Sequence, residues 1–522
     1  MRKSVIALFV LVVYFCTITG VIASVESTGV IQSSLSSDIR STNPGVNRDA
    51  NTDTVMMHIL EGLVAYRESG TPGPMLADSI EVSEDEKTYI FRLREGIRFH
   101  NGDPVTAEDV VWSWQRYLDP ETNWECLSMF DGSSGNRIES IRASNENTVV
   151  FQLNRPQPML LINMADVRCG ASAVIHRSSL NPDGSWREPV ATGPYKLKSW
   201  KRGRYIELEA FQDYQSRKEP RDGFTGQKIA YAEYLRFMII RDAAARLAAL
   251  AKGQIDIMPE VPAAQMVQIR RLKQVELKSK PMLVNYLILI QSNDKVMADV
   301  RIRKALELSL DRQPIAELVT EGEGVANPSI IPTSSPYYST LQSTSNGYNL
   351  AQARSLLKEA GYNGEPIKMV TNRRYPAMYN QALLVQAVAR QSGINIELEV
   401  LEWATHLDRW KSGDYQLMSF GFSAKTDPYL NFNSILGDSN LSKTKIWNNP
   451  DAIKIYQYSG QTNDDKRRQQ LFDQLHRLML RDVPVIVLYS LSDVNAVQKN
   501  ITGFESWALG RTRLWGVRPH SI

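Results

Sequence analysis

The stretch Ser79-Ile80-Glu81-Val82-Ser83-Glu84-Asp85-Glu86-Lys87-Thr88-Tyr89-Ile90-Phe91-Arg92-Leu93, followed closely by Thr106-Ala107-Glu108-Asp109-Val110, decides the fold class. Ser79–Val82 and Tyr89–Leu93 read as strands, with Tyr89, Phe91 and Leu93 on one face and the polar turn 84–87 between them. Thr106 is placed to cap a helix beginning at Ala107, and Asp109 at the third helical position supplies the reciprocal acidic partner. A hairpin leading into a capped helix signals a mixed α/β chain.

Outward from this block the alternation continues. Upstream, Val55, Ile59, Leu63 and Val64 recur at helical spacing over 53–66, and the polar segment 30–51 reads as loop after a short first strand. Downstream, Thr148–Leu153, Lys196–Trp200, Ile206–Ala210 and Tyr234–Ile240 read as strands. Asp299 and Asn349 are placed as helix caps, and Gly361 as the end of the second of these helices. Leu283–Gln291 is almost unbroken apolar chain, the pattern of a strand covered on both faces, and Val485–Tyr489 is another. These two bracket a long intervening stretch, and we expect the chain to cross between lobes there.

Arg2 and Lys3, the apolar run Val5–Phe15 and the small or aliphatic Val21-Ile22-Ala23 predict an export signal over 1–23, cut after Ala23. The apolar run is about half the ~20 residues of a spanning helix. Val13-Tyr14-Phe15 ahead of Cys16 lacks the small residues that lipid attachment requires. Removal of the signal leaves Cys126 and Cys169, which in an oxidising compartment read as one disulfide, the alternative being two separate buried thiols. A mature chain of about 500 residues exceeds what one core supports, so several domains are expected. A hydrophobic content of 43% and a charged content of 22% place the chain among ordinary globular proteins. The formal charge of +3 loses Arg2 and Lys3 with the signal. The near-balance that remains gives no reason to expect nucleic acid or an anionic membrane as partner.

The block extends through Glu61-Gly62-Leu63-Val64, Pro74-Met75-Leu76-Ala77-Asp78 and Arg94-Glu95-Gly96-Ile97-Arg98-Phe99-His100-Asn101-Gly102. Thr192-Gly193-Pro194-Tyr195, Val300-Arg301-Ile302-Arg303-Lys304-Ala305 with Asp311-Arg312, and Leu356-Leu357-Lys358-Glu359-Ala360-Gly361-Tyr362 follow in order. Together they closely resemble the extracellular solute-binding proteins of family 5, the peptide-, nickel- and opine-binding components of ABC importers, over essentially the whole mature chain. The resemblance implies a two-lobed periplasmic-binding-protein fold of the cluster C type, with a two-strand hinge and an extra inserted domain. We expect domain I over 24–70, 190–285 and 490–522, the inserted domain II over 71–189, and lobe two (domain III) over 286–489. The implied protein is a periplasmic monomer that closes on a small solute and docks on permease and ATPase subunits at the inner membrane. A short peptide is the alternative ligand, and an exported chaperone or solute-sensing receptor the alternative role.

The resemblance also places the residues that choose the ligand. Peptide-binding members hold the peptide ammonium with an acidic residue just ahead of an Asp-Pro or Glu-Pro step. Here the stretch is Gly421-Phe422-Ser423-Ala424-Lys425-Thr426-Asp427-Pro428, one residue shorter, with Lys425 at that position. Two like charges about 4 Å apart at an effective dielectric near 20 repel by ~4 kcal/mol, about a thousandfold in affinity. Lys425 in the cleft would therefore reject a free amino terminus, unless it points to solvent or pairs with Asp427. Arg373 and Arg374 stand where dipeptide binders place an arginine for the ligand carboxylate, and the guanidinium fork suits carboxylate or phosphate. Ser133-Ser134-Gly135-Asn136 reads as an anion nest or a surface turn. Trp403 and Phe422 read as sugar-stacking or core aromatics, Ser419 as part of the same wall, and Ser34 and Ser36 as the start of the cleft lining. The expected ligand is a polyhydroxylated anion such as an opine or sugar-phosphate conjugate, with agrocinopine-type binders the nearest member.

Catalysis and cofactors find little support. The chain has no phosphate-binding Gly-x-x-x-x-Gly-Lys-Ser/Thr loop, no His-Glu-x-x-His, and no nucleophile elbow around Gly132–Gly135. Its six histidines show no metal-ligand spacing. We expect a binding protein, not an enzyme, with no cofactor.

Overall fold

Two long antiparallel strands, Val275–Ile290 and Val485–Gln498, carry the architecture. They pair from Val275↔Gln498 to Pro281↔Ser492 and again from Asn285↔Ser490 to Leu289↔Val485, with a slip in register between Pro281 and Asn285. In this computed structural model, which describes residues 29–133 and 135–519, the first run belongs to one lobe and the second to the other. The export segment 1–23, Cys16 and Ser134 lie outside the described residues.

In lobe one the sheet continues from the Val485–Gln498 strand through Ile257–Met258, Val30–Leu35, Tyr234–Ile239, Tyr205–Ala210 and Tyr195–Lys201. In lobe two it continues from Val275–Ile290 through Leu417–Phe422, Ile367–Thr371 and Ile396–Val400. Separate apolar clusters cover the two faces of the lobe-two sheet, one around Ile288, Leu306 and Ile486, the other around Leu287, Phe420 and Val487. Alternate residues of the crossing strands thus point into opposite cores, as strand periodicity requires. A separate four-stranded antiparallel sheet, built from Ala77–Val82, Thr88–Leu93, Thr148–Leu153 and Ile138–Asn145, shares its core with lobe one.

The hairpin and the capped helix form as the sequence predicts. Asp109 N–H donates to Thr106 Oγ1 at 3.4 Å, and Thr106 N–H to Asp109 Oδ2 at 2.9 Å, so two otherwise orphaned donors are satisfied reciprocally. The helix expected over 53–66 is a correction. It spans only Ala50–Met56, and Val64–Tyr66 is a strand. Beyond the helix the chain packs tightly, and a Cβ at Gly62 would lie 2.0 Å from the Ala171 carbonyl oxygen. Close packing between backbones, not helical periodicity, governs this segment.

Glu61, beside that glycine, is buried. Its carboxylate accepts from Lys228 Nζ and the Tyr214 hydroxyl, both at 2.8 Å, and from Thr192 Oγ1 at 3.2 Å. A carboxylate so deep is tolerable only when paired and fully bonded. Two motifs of the resemblance, Glu61-Gly62 and Thr192-Gly193, are therefore framework.

Cys126 and Cys169 form the expected disulfide, with Cα atoms 5.5 Å apart. It fastens the segment around Trp124, whose indole N–H donates to the Cys169 carbonyl at 3.0 Å. Replacing both cysteines with Ala is expected to cost about 2–4 kcal/mol through the freed unfolded chain. The check is a lower urea midpoint at constant slope; an unchanged midpoint would show that packing around Trp124 suffices alone.

Candidate functional site

The parallel strands of both lobes end on the same gap. In lobe one, Val30–Leu35 runs parallel to Tyr234–Ile239 and Ile257–Met258. Ile257–Met258 is antiparallel to its crossing strand, so its C-terminal end points toward the register slip. In lobe two, Leu417–Phe422 pairs from Ile290↔Leu417 to Asn285↔Phe422, and Ile367–Thr371 and Ile396–Val400 run parallel to it. The carboxyl ends of both sets therefore meet at the break between lobes, the position where open α/β sheets place ligands.

The lobe-two edge is cationic and aromatic. Arg373 and Arg374 follow Thr371, are exposed, and pair with no carboxylate among the described residues. Their guanidinium carbons lie over the Tyr379 and Tyr375 rings at 4.9 and 5.9 Å. Trp403, half-buried, opens a helix after Val400 and packs edge-on against Tyr375 at 4.7 Å. Ser423 is exposed, while Gly421 lies close over Tyr286, where an added Cβ would stand 3.0 Å from the ring.

Lys425 is half-buried, 6.0 Å from the Phe422 ring centroid, and its backbone N–H donates to Leu283 of the crossing strand at 3.1 Å. Burial first, then Arg168 and Lys445, lower its pKa. Among the described residues no carboxylate lies within ion-pair distance of it. Arg168 comes from the opposite lobe and is held by Asp166 at 2.6 Å. Lys445 donates to the Asn433 carbonyl and to its side chain. The charges of Arg168 and Lys445 thus both act on Lys425, although Arg168 is itself paired with Asp166. Sequence reading singled out only Lys425; Arg168 had a signal, its place beside Cys169, whose disulfide anchors that strip.

Asp427, two residues beyond Lys425, is already paired. It is buried and accepts two bonds from Arg468, at 2.7 and 2.8 Å. It also caps the helix Pro428–Asn433. Burial lowers the Arg468 pKa, but bonding to Asp427 and Tyr337 more than offsets it, and the net shift is upward. The alternative pairing of Lys425 with Asp427 is thereby excluded.

Ser419 is a correction, while for Phe422 and the Ser133–Asn136 loop the structure favours the core and surface-turn alternatives. Ser419 is wholly buried inside lobe two, donating to the Met378 carbonyl at 2.6 Å and accepting from Gln381 at 2.7 Å. Phe422 is buried against Phe420 in the lobe-two core. The nest supplies its own anion: Ser133 N–H and Oγ both bond Asp131, Gly135 N–H bonds Gly132, and Asn136 Oδ1 accepts from Arg155. Local hydrogen bonds thus occupy the Ser133 and Gly135 donors.

On lobe one, Ser34 is buried at the end of its strand, and Ser36 lies just beyond it. Both line a small pocket with Asn51, Arg246, Glu260 and Asp493. Burial raises the Asp493 carboxyl to about 6, although the Trp507 N–H and Asn495 act against the shift. Arg246, Glu260 and Asp493 went unnoticed in the sequence because nothing local marks them.

The sequence profile of the bacterial extracellular solute-binding proteins, family 5, matches residues 71–443. The chain belongs to this family. It is 25% identical over 495 residues to the oligopeptide-binding protein OppA of Bacillus subtilis, covering 89% of this chain and 88% of that protein. It is 27% identical over 500 residues to the dipeptide-binding protein of Escherichia coli, covering 90% and 89%. Among solved structures, HbpA2 of Haemophilus parasuis superposes with a TM-score of 0.81 at 22% identity, covering 94% of this chain and all 100% of that one. AgaA of A. tumefaciens R10, in complex with agropinic acid, superposes at 0.69 and 25% identity, covering 95% and 99%. The fold is thus the two-lobed one of this family of binding proteins, and no described helix is long and apolar enough to cross a membrane.

Arg468→Met should destabilise the family-5 chain by about 3–5 kcal/mol, because it strands a buried carboxylate. Adding Asp427→Asn should restore much of that loss in denaturant titrations; a double variant no better than the single would show that Arg468 acts through packing alone.

Proposed function

We propose that this chain is the exported binding component of an ABC importer and that it captures a small polyhydroxylated anion, of the opine or sugar-phosphate-conjugate kind, between its lobes. One observation carries the reading. Lys425, half-buried and bonded through its backbone N–H to Leu283, has no carboxylate within ion-pair distance among the described residues, the charges of Arg168 and Lys445 act on it, and Asp427, two residues on, is committed to Arg468. Removing cations from water without a counter-charge is costly, and an anionic solute supplies that charge. Arg373 and Arg374 at the same edge add to the field, which steers anions inward. AgaA, a structural relative, is described in complex with agropinic acid, which accords with such a ligand. The domain boundaries of the sequence analysis, the signal over 1–23 and the permease and ATPase partners form part of the same proposal.

A peptide ligand is the second reading, because OppA and the dipeptide-binding protein carry that function in their names. Thermal shifts with opines, sugar phosphates and di- to pentapeptides separate the two. A ligand at a hundredfold its Kd adds about 2.7 kcal/mol. A rise with the anions and none with peptides fits the proposal, and peptides alone raising the melting temperature would overturn it. Lys425→Met should lower anion affinity at least tenfold.

Affinity should also fall as pH rises through the lowered Lys425 pKa, because only the charged amine holds the anion and bound anion favours that form. Lys425→Arg should flatten this dependence; a pH-independent Kd in wild type would count against Lys425 as the anion ligand.

A further inference from the structure

We infer that the lobe-one pocket formed by Ser34, Arg246, Glu260 and Asp493 is a subsite for one hydroxyl group of the ligand, resting on the proposal of an anionic solute held at Lys425. Three observations point there. The cavity has about 20 Å³ of space, room for a single oxygen atom. Ser34, 2% exposed, lines it and its Oγ has no hydrogen-bond partner. The Nε of Arg246 is likewise buried and unbonded, its Nη1 being used by the Ile240 and Arg241 carbonyls. Buried donors and acceptors left unmet are rare in native proteins and call for an occupant.

The unmet groups define that occupant chemically. Arg246 Nε only donates. Asp493 accepts its two bonds, from Asn495 Nδ2 at 2.9 Å and Trp507 N–H at 3.1 Å, on Oδ2, so Oδ1 carries none among the described residues. An ammonium offers only donors and would meet the Arg246 cation. A carboxylate or phosphate offers only acceptors and would meet the Asp493 and Glu260 charges. A hydroxyl donates to Asp493 and accepts from Arg246 or Ser34, satisfying both at once. The anionic end of the ligand then lies on lobe two and the hydroxyl-bearing end on lobe one, so that binding bridges the lobes.

Ribose 5-phosphate, glucose 1-phosphate and glucose 6-phosphate are the probes, with the bare sugars and inorganic phosphate as controls, titrated calorimetrically into wild type, Ser34→Ala, Asp493→Asn and Lys425→Met. Melting curves of the unliganded variants establish that each is folded, and the isosteric Asp493→Asn backs up Ser34→Ala. For any sugar phosphate that binds, Ser34→Ala and Asp493→Asn should each weaken affinity about tenfold, as expected for a lost hydrogen bond in a dry site. Both should leave inorganic phosphate within twofold of wild type, while Lys425→Met weakens both probes. Unchanged sugar-phosphate affinity in the two lobe-one variants overturns the subsite and leaves the anion reading intact. Bare sugars that bind and lose affinity in Ser34→Ala, with no response to any phosphate, support the subsite and remove the anion reading. No response to any sugar or sugar phosphate overturns the subsite.

Discussion

The interrupted ladder between the two crossing strands is the constraint from which the rest follows. A continuous antiparallel pairing from Val275 to Ile290 would weld the lobes into one sheet. Instead three residues, Met282 to Val284, stand against the single Leu491, and a second, smaller slip follows between Tyr286 and Leu287. Extra residues on one strand bend it and remove ladder bonds, and Pro281 has no N–H to contribute. The slip is still held locally: Asn285 Oδ1 accepts from Asn327 at 3.0 Å and from Ser490 at 2.9 Å, and Asn285 Nδ2 donates to the Ile330 carbonyl at 2.7 Å. On the lobe-one side, Glu68 takes Lys280 Nζ at 2.7 Å and Arg513 at 2.6 Å. The break is thus short and well bonded on both flanks, a geometry that confines any relative motion of the lobes to a few residues.

Because all the parallel strands are attached to these two crossing strands in fixed directions, their carboxyl ends necessarily face the break. Strand ends and the loops that follow them lie at this break: Ser34 and Ser36, Pro259-Glu260, Arg373 and Arg374, Trp403, and Ser423–Thr426. None of these is distinctive alone. Their shared location comes from strand direction, which also explains why Ser419, three residues before the end of its strand, is core.

Charge within the cleft is arranged by a pair that faces away from it. The bidentate grip of Arg468 on Asp427 consumes the acid that could have neutralised Lys425, and it orients the turn that presents Lys425 next to Leu283. With Asp427 so paired, no carboxylate among the described residues neutralises Lys425, and Arg168, itself held by Asp166, adds to the lowering of its pKa.

The hairpin, the Thr106 cap, the glycine stop at Gly361, the crossing segments and the cysteine pair were legible in the chain because each is a local pattern with a local cause. Gly361, for instance, has the left-handed φ of 72° that its place after the helix demands. The helix expected over 53–66 failed for the opposite reason: it stops at Met56, and the chain beyond it packs on distant segments, Gly62 against Ala171. The same division holds at the site. Residue identity alone determined that a lysine precedes the Asp427-Pro428 step and that arginines and serines stand near strand ends. Only the tertiary structure decided which of them are available. Availability depends on partners distant in sequence: Arg468 for Asp427, Gln381 for Ser419, Arg168 and Lys445 around Lys425, Asp493 opposite Ser34. Electrostatic and hydrogen-bond satisfaction are properties of neighbours in space, and one-dimensional spacing does not encode them.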